Sequence, residues 1–346
     1  MGIVQAAKRR CGVKYMHSSQ AAEENGEQLD KRTESADFSL LYIGGEGRSG
    51  STVLEKALAA HPDVAAVGEL KYLWKWGIKR QEFCACGKTV PDCEFWSGVS
   101  QRMFGPEGCE SAEAKRLFED YETVSRNWRM GSVYLTTVLP HSRARLKRVR
   151  GLLATLYAAI AAEAGVSVVI DASKHPMHLA ILMGAPGLRL SVLHLVRDPC
   201  GVANSWSKEV PLPHDPTGQR TMGPHPTAVV VARWSLMNIA VSYVRHRHQG
   251  RLLRYEDFCR EPKQTIAEIL TSVGLDPSEV PETEGASIAT SAGHGIAGNP
   301  ARFGKDVITL TEDNGWRERF TFFKQAAIKT AVLPQALLYR YVGKPK

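Results

Sequence analysis

The sequence predicts an α/β protein with a mostly parallel sheet that is flanked by helices. Short apolar runs, each about the length of a buried strand, alternate along the chain with longer segments that have helical spacing. The first apolar run leads through a glycine-rich turn directly into such a helical segment. With 346 residues, the chain is long enough for one large domain or two small ones. We therefore predict one α/β domain that carries a helical insertion.

Four apolar runs are the predicted strands. The first, "FSLLYIG", ends in glycine, as a buried parallel strand does before a tight turn. The others are 166–171, 188–196, which is stopped by Pro199, and the segment "GRLLRYEDF". After the first run, apolar side chains recur at helical spacing in "STVLEKALAAH". Further helices are predicted over 153–164, 199–208, 228–248 and 263–273.

The domain organisation follows from changes in composition. Residues 1–36 are polar and charged without clear periodicity, which predicts a mobile N-terminal arm. Residues 37–330 form the predicted single domain, with an insertion at about 74–150 that begins as loop and becomes helical. Residues 331–346 are a C-terminal tail or a last helix.

Charge and cysteine content restrict the function. The formal net charge of +8 suits a strongly anionic ligand, but it is too small and too scattered to indicate nucleic acid. We find no apolar stretch of membrane-spanning length and no signal peptide. Seven cysteines in a long chain favour reduced thiols, and hence the cytoplasm, over a disulfide scaffold. The sequence gives no indication of the oligomeric state.

The turn "GGEGRSGST" at 44–52 has the glycine spacing of a phosphate-binding loop between a strand and a helix. Ser51 stands where the phosphate-binding loop of an ATP- or GTP-binding protein carries its lysine, and Arg48 lies within the turn. A planar guanidinium suits a short anhydride better than a polyphosphate. We expect a 5′-phosphate that bears one further anionic group, the shape of 3′-phosphoadenosine 5′-phosphosulfate (PAPS). The alternative is a glycine-rich turn without a ligand.

A second motif, "HLVRDPCGVANSW", places Arg197 at the carboxyl end of a predicted strand. Ser205 follows eight positions later, two turns into the next helix. Ligands of open α/β sheets bind at that edge, so the two side chains could hold a separate phosphate, the 3′-phosphate of PAPS. The alternative is a local salt bridge between Arg197 and Asp198 that caps the helix.

Several segments together resemble the sulfotransferase superfamily, in particular its bacterial-type branch. The resemblance covers about 40–320 and rests on segments in the expected order: "GRSGST", "HPDVAAVGEL", "IDASKHP", "LVRDP…NSW", "LLRYEDF" and "HGIAGNPARF" followed by "NGWRERF". It implies a P-loop-like fold with PAPS as co-substrate. It further implies transfer of a sulfuryl group to a hydroxyl or amine of a small-molecule, carbohydrate or lipid-like acceptor.

The same resemblance assigns roles to residues. Glu69 is the expected base, because the tyrosylprotein branch uses a similar glutamate; it could instead be a helix N-terminal residue. Arg48 and Lys174 are the expected cations on the leaving oxygen, although Lys174 could be an exposed loop lysine. Rival bases are His175, His178 and His294. The expected PAPS-binding residues are Gly47, Arg48, Ser49, Gly50, Ser51, Thr52, Arg197, Ser205, Tyr255 and Arg302, with Lys305 as an addition. The alternative for Tyr255 is a plain core residue.

Three cysteines, Cys84, Cys86 and Cys93, lie close together in the insertion. Their spacing is not that of a standard zinc finger, although Cys109 could be a fourth ligand. Zinc, a disulfide and plain thiols remain open, and plain thiols are preferred. The transfer reaction itself needs no metal, since two cations are available for the leaving group.

Two other functions fit parts of the sequence. A small-molecule kinase would need a loop lysine, which is absent, and a carboxylate for magnesium, for which only Asp171 is well placed. A non-catalytic protein could bind an anionic ligand without transferring a group. The acceptor is not predicted, although Trp74, Trp76, Phe95 and Trp96 of the insertion would suit a sugar, phenol or lipid-like face.

Overall fold

A computed structural model of the chain describes residues 37–126, 140–212, 215–285, 287–291, 293–303 and 307–342. The predicted arm at 1–36, Lys305 and the end of the predicted tail at 343–346 lie outside these residues. Part of the predicted insertion, 127–139, lies outside them as well.

The described residues are built around a five-stranded parallel sheet, which confirms the predicted fold class. The strand order is β2-β3-β1-β4-β7, so the first strand lies in the centre. Gly44 of the first strand lies opposite Lys174 on one side and His194 on the other, which aligns the carboxyl ends of the strands. The strands are β1 (Ser39–Gly45), β2 (Val64–Ala66), β3 (Val168–Lys174), β4 (Arg189–Val196) and β7 (Arg251–Arg254), with short pairs formed by β5 (Val210–Pro211) and β6 (Thr221–Met222) and by β8 (Ser287–Ala289) and β9 (Val307–Thr309).

Helices cover both faces of the sheet, because alternate side chains of the buried strands point to opposite sides. Leu40 and Tyr42 join one core cluster, whereas Leu41 and Ile43 join another. The α-helices are α1 (Ser51–Leu58), α2 (Glu94–Phe104), α3 (Ala112–Val124), α4 (Pro140–Ala164), α5 (Pro176–Leu182), α6 (Pro199–Trp206), α7 (Thr227–Arg247), α8 (Tyr255–Arg260), α9 (Pro262–Ser272), α10 (Trp316–Arg319), α11 (Phe322–Ala331) and α12 (Leu333–Leu338).

Several elements differ from the sequence-based prediction. The strand predicted in "GRLLRYEDF" ends at Arg254, and α8 begins at the next residue. Acidic Glu256 and Asp257 lie in the first turn of that helix, where a helix favours negative charge. Strand β2 was not predicted, because three residues are too few to show a periodic pattern. The other predicted strands and most helices agree to within about three residues, whereas α4 begins well before the predicted 153.

Helix α7 reaches membrane-spanning length, although the sequence analysis predicted no stretch that does. Its 21 residues are long and apolar enough to cross a membrane by length and composition alone. In the structure the helix packs against β1 and β4, with Trp234 and Val241 fully buried. Oδ1 of Asn238 accepts a hydrogen bond at 2.9 Å from Nε2 of His194 beneath it. One face of the helix therefore covers the sheet.

Candidate active site

Five predicted site features line the carboxyl edge of the sheet, one at the end of each strand. Glu69 follows β2, Lys174 ends β3, the glycine-rich loop follows β1, Arg197 follows β4, and Tyr255 follows β7. Since the strands are parallel and neighbouring in this order, the features form a continuous row. The row runs from a carboxylate through a cation and a phosphate-type loop to an arginine and an aromatic ring.

The loop requires glycine at two positions. Gly45 has φ 146°, and a Cβ there would lie 2.2 Å from the carbonyl oxygen of Leu195. Gly50 has φ 91°, and a Cβ there would lie 2.5 Å from the ring of Tyr255. Gly50 is also the N-cap of α1, and it has no side chain to occupy the first N–H groups of the helix. Those N–H groups and the helix dipole remain suited to an anion.

Three hydroxyl groups of the loop lie at this end of α1. Ser49, Ser51 and Thr52 are all buried. Within the described part of the chain, Ser49 Oγ has no hydrogen-bond partner. An unpaired buried hydroxyl is costly unless a ligand or water completes it, so its position supports a ligand in the loop.

The side chain of Arg48 packs on an aromatic ring beside the loop. Its guanidinium lies over the ring of Trp206, 5.0 Å from the centroid, and Nη2 lies 3.6 Å from Sδ of Met222. Arg233 lies over the same indole at 4.6 Å, so the tryptophan is shared by two cations. Burial lowers the pKa of Arg48, and the charge of Glu69 opposes that shift, which puts both groups in one electrostatic region.

Glu69 and Lys174 form a direct ion pair. Lys174 Nζ donates to Oε1 of Glu69 at 2.7 Å and to the carbonyl of Ala172 at 3.0 Å. The two side chains are only 15% and 11% exposed. Lys174 has φ 63°, a left-handed conformation that is strained for a non-glycine residue and concentrates at functional sites. Glu69 makes no side-chain cap at the short helix that follows it, and Lys174 is no exposed loop residue.

Glu55 is a further carboxyl group that the sequence analysis missed. It lies on α1, and burial raises its pKa to about 8, while Lys174 opposes that shift and Glu69 adds to it. Its Oε2 has no hydrogen-bond partner among the described residues. The available signal was a single acidic residue beside Leu54 on the apolar face of a short helix.

Arg197 links the loop to the C-terminal segment. Its Nη1 donates to the carbonyl of Arg48 at 3.0 Å, and Nη2 donates to Oδ2 of Asp313 at 3.0 Å. Its guanidinium also lies 4.5 Å from the ring centroid of Tyr255. Asp198 does cap α6, through Cys200 N at 2.8 Å, but the ion-pair partner of Arg197 is Asp313. The sequence held no signal for Asp313.

Ser205 lies on the face of α6 that is directed toward Arg197. A Cβ at Gly201 would lie 3.1 Å from Nε of Arg197, so that face meets the guanidinium. Ser205 is four residues further along the helix and hence one turn away on the same face. The structure thus brings Arg197, Ser205 and Tyr255 to one end of the row.

The contacts of Arg302 differ from the prediction that this residue completes the 3′-phosphate pocket. It is only 2% exposed, and it donates to the carbonyl oxygens of Gly295 at 3.2 Å, Ala297 at 2.5 Å and Phe83. Burial lowers its pKa to about 10. The guanidinium holds two loops together and is not directed at Arg197, so we do not retain it as a ligand of the phosphate.

Two of the three rival bases, His175 and His178, and the candidate magnesium ligand Asp171 lie in the protein interior. His175 caps α5 through Met177 N at 3.2 Å, and burial lowers its pKa to about 3. His178 is fully buried, with Nε2 at 3.2 Å from Oδ2 of Asp171 and Nδ1 at 2.8 Å from the hydroxyl of Tyr121. Asp171 is therefore occupied by a buried network and is not presented to a nucleotide.

The aromatic residues expected to form an acceptor face are mostly engaged elsewhere. Trp74 and Trp96 are core residues. Trp76 stacks on Tyr72 with ring centroids 3.8 Å apart, and Phe95 stacks on His294. These rings therefore pack within the protein instead of forming one acceptor face.

Comparison with known proteins identifies the family. The model of the "Sulfotransferase family" matches residues 41–279, well over half of the chain. The chain belongs to the sulfotransferase family. This match confirms the resemblance to the bacterial-type branch that the motifs indicated. Comparison with curated protein sequences gives no match.

Solved structures similar to this sulfotransferase are distant in sequence. The sulfotransferase domain of the Synechococcus PCC 7002 olefin synthase is 17% identical, with a TM-score of 0.47, and the match covers 90% of this chain and 98% of that one. The sulfotransferase domain from the curacin biosynthetic pathway is 16% identical, with a TM-score of 0.44 and coverages of 86% and 98%. Sulfotransferase STF1 from Mycobacterium tuberculosis H37Rv is 14% identical, with a TM-score of 0.43 and coverages of 90% and 80%.

Proposed function

We propose that this sulfotransferase takes the sulfuryl group from PAPS and transfers it to a hydroxyl or amine of a small-molecule, carbohydrate or lipid-like acceptor. The observation that carries the proposal is the row at the sheet edge. It sets a base and a cation on one side of an anion-binding loop, and an arginine and an aromatic ring on the other. The row therefore offers a separate binding position for each phosphate of a nucleotide that carries two.

The donor would lie along this row. The N–H groups of the loop and the hydroxyls of Ser51 and Thr52 would bind the 5′-phosphosulfate. Arg197 and Ser205 would bind the 3′-phosphate, and the ring of Tyr255 would lie beside the adenine. Asp313, which holds Arg197 without a ligand, would be displaced by the phosphate, since both anions need the same guanidinium donors.

The acceptor would be activated at Glu69. Its carboxylate takes the proton of the acceptor hydroxyl while the acceptor oxygen forms a bond to sulfur. The bond between sulfur and the bridging oxygen breaks, and the electron pair stays on the 5′-phosphate. Lys174 then moves from Glu69 toward that oxygen and stabilises its new charge, with Arg48 as a second cation. Lys174 would thus couple proton transfer to Glu69 with the departure of the leaving oxygen.

The proposed reaction needs no divalent ion at the nucleotide. Arg48 and Lys174 would supply the positive charge that magnesium supplies in proteins that bind a nucleoside triphosphate. Ser51 stands at the lysine position of such loops, and Asp171 is held by His178 and Tyr157. These residues count against the small-molecule kinase. A reducing, cytoplasmic location remains our proposal, on the ground that seven cysteines in a long chain favour reduced thiols.

The compound that donates the transferred group, PAPS or ATP, distinguishes a sulfotransferase from a kinase. We would incubate the protein with ³⁵S-labelled PAPS or ³²P-labelled ATP and magnesium, each with the same panel of hydroxyl and amine acceptors. The label, rather than the mass gain, must be followed, because sulfuryl and phosphoryl groups are nearly equal in mass. We expect ³⁵S in a product only when Glu69 is intact. Transfer of ³²P would establish the kinase, and tight PAPS binding without any labelled product would establish the non-catalytic binder.

A further inference from the structure

Four potential metal ligands meet beside the loop that follows β8. They are the Sγ atoms of Cys84, Cys86 and Cys93 and a ring nitrogen of His294, and all lie within 4.8 Å of one another. The histidine comes from a segment 201 positions after Cys93, so the cluster is formed only by the fold. Cys109 is not part of it; its Sγ is instead paired with Ser100 at 3.1 Å.

The distances between these atoms are those of a tetrahedral zinc site. With zinc bonds of about 2.3 Å to sulfur and about 2.0 Å to nitrogen, tetrahedral ligands lie roughly 3.8 Å apart for two sulfurs and roughly 3.5 Å apart for sulfur and nitrogen. Cys93 Sγ lies 3.6 Å from Cys86 Sγ and 3.9 Å from Cys84 Sγ. Nδ1 of His294 lies 3.3 Å from Cys93 Sγ and 3.7 Å from Cys84 Sγ.

The surrounding residues hold these ligands in place. The backbone turns tightly after Cys84, whose N–H donates to Lys88 O at 2.8 Å, with Gly87 at φ 87°. Phe95 stacks on the imidazole of His294 at 4.4 Å, and Trp96 Nε1 donates to the carbonyl of His294 at 3.0 Å. A fixed ring orientation is what outer residues provide in metal sites.

Cys93 has a fixed position at the start of a helix. It is the N-cap of α2, an 11-residue helix, and its own side chain makes no capping bond. Its Sγ is directed instead at Cys86, Cys84 and His294.

We propose that Cys84, Cys86, Cys93 and His294 bind one structural Zn²⁺ ion. Three thiolates and one imidazole complete a tetrahedral shell and leave no open position for a substrate, which marks a structural rather than a catalytic site. Soft sulfur ligands in this geometry select zinc over magnesium or calcium. The ion lies outside the row at the sheet edge and takes no part in the transfer.

The proposed ion would fix the backbone at Glu69. Ile296, two residues after His294, accepts a hydrogen bond from Glu69 N at 2.8 Å and donates one to Val67 O at 3.0 Å. Gly298 of the same loop packs against the carboxylate, since a Cβ there would lie 3.2 Å from Glu69 Oε1. The zinc would thus join the cysteine loop to the segment that positions Glu69; this consequence alone rests on the proposed function.

The direct test is the metal content of the untagged protein purified under reducing conditions. We expect close to one zinc per chain by plasma mass spectrometry. Cys86→Ser is the most informative variant, because Cys86 is exposed and its loss disturbs no core packing. It should lose most of the zinc, whereas the control Cys109→Ser should retain it. Should Cys86→Ser fail to fold, zinc release from the intact protein by a thiol-blocking mercurial gives the same information.

The alternatives give distinct results. Reduced protein that contains no zinc and takes up none on incubation would overturn the site. A Cys86–Cys93 disulfide, detected by the mass of the alkylated protein, would also overturn it. Chelation should lower the melting temperature of the wild type but not that of Cys86→Ser. If zinc is present and the protein transfers no ³⁵S from PAPS to any acceptor, the proposed function fails while the zinc site stands.

Discussion

The two sides of the row at the sheet edge neutralise their charges in different ways. On the acid–base side, Glu69 and Lys174 pair with each other, and their side chains are 15% and 11% exposed. On the arginine side, Arg197 is 8% exposed, but its partner Asp313 is 40% exposed and comes from the C-terminal segment. One pair is enclosed, whereas the other pairs a buried cation with an anion at the surface.

This difference suggests how the two sides work. An enclosed pair holds Glu69 in position before any acceptor arrives, which is what proton transfer requires. A surface carboxylate can be exchanged for a phosphate at little cost, because it regains its water when it leaves. We therefore expect variants on the acid–base side to affect turnover and variants on the arginine side to affect nucleotide affinity.

The largest effect is expected at Glu69. Glu69→Gln keeps the size of the side chain but removes its ability to accept a proton, so kcat should fall by about 10²- to 10⁴-fold. The affinity for adenosine 3′,5′-bisphosphate should change little. Glu110→Gln, at an exposed surface ion pair, is the matched control. Steady-state transfer of ³⁵S measures the rate, and unchanged kcat in Glu69→Gln would remove Glu69 as the base.

A smaller effect, on binding, is expected at Arg197. Arg197→Ala should weaken the binding of adenosine 3′,5′-bisphosphate by about 30-fold. This factor corresponds to the loss of about 2 kcal/mol for a charge-assisted hydrogen bond. Adenosine 5′-monophosphate, which lacks the 3′-phosphate, should be affected far less. Calorimetric titration of both nucleotides gives the comparison, with exposed Arg251→Ala as control. Equal weakening of both nucleotides would show that Arg197 supports the loop rather than the phosphate.

The opposite change is expected at Asp313. Asp313→Asn removes the charge that competes for Arg197, so the affinity for adenosine 3′,5′-bisphosphate should rise by about three- to tenfold. The same titration in low and moderate salt checks this prediction. A loss of affinity in Asp313→Asn would mean that Asp313 orients Arg197 and is not displaced by the ligand.

The smallest effect concerns the buried carboxyl of Glu55, next to the acid–base side. Its folded pKa of about 8 lies above the ordinary value of 4.5, so the folded state retains the proton as the pH rises and loses stability between about 4.5 and 8. Glu55→Gln mimics the protonated form. It should raise the melting temperature by about 3 °C at pH 9 and leave it nearly unchanged at pH 5. An equal difference at both pH values would show that Glu55 is not protonated in the fold.

The strand ends were predictable because parallel strands place their carboxyl ends at one edge. An apolar run followed by Lys174 or Arg197 is sufficient to put those residues near the loop. Contacts made by long side chains were not predictable. Arg48 lies over Trp206, and Arg302 points inward at backbone carbonyls, because local packing rather than chain order sets their rotamers.

Partners from distant segments were also beyond the sequence pattern. His294 completes the cysteine cluster from 201 positions beyond Cys93, and Asp313 reaches Arg197 across 116 positions. Neither residue lies in a motif whose spacing indicates its partner. Such pairs depend on how loops fold over the sheet edge, and loops carry little periodic signal.

The central claim is tested most directly by a crystal structure with adenosine 3′,5′-bisphosphate bound. The account predicts the 5′-phosphate in the loop at hydrogen-bond distance from the N–H groups of Ser51 and Thr52. It predicts the 3′-phosphate on Arg197 and Ser205, with Asp313 displaced. An empty loop at saturating nucleotide, or a loop that instead binds a triphosphate with its divalent ion, would contradict it.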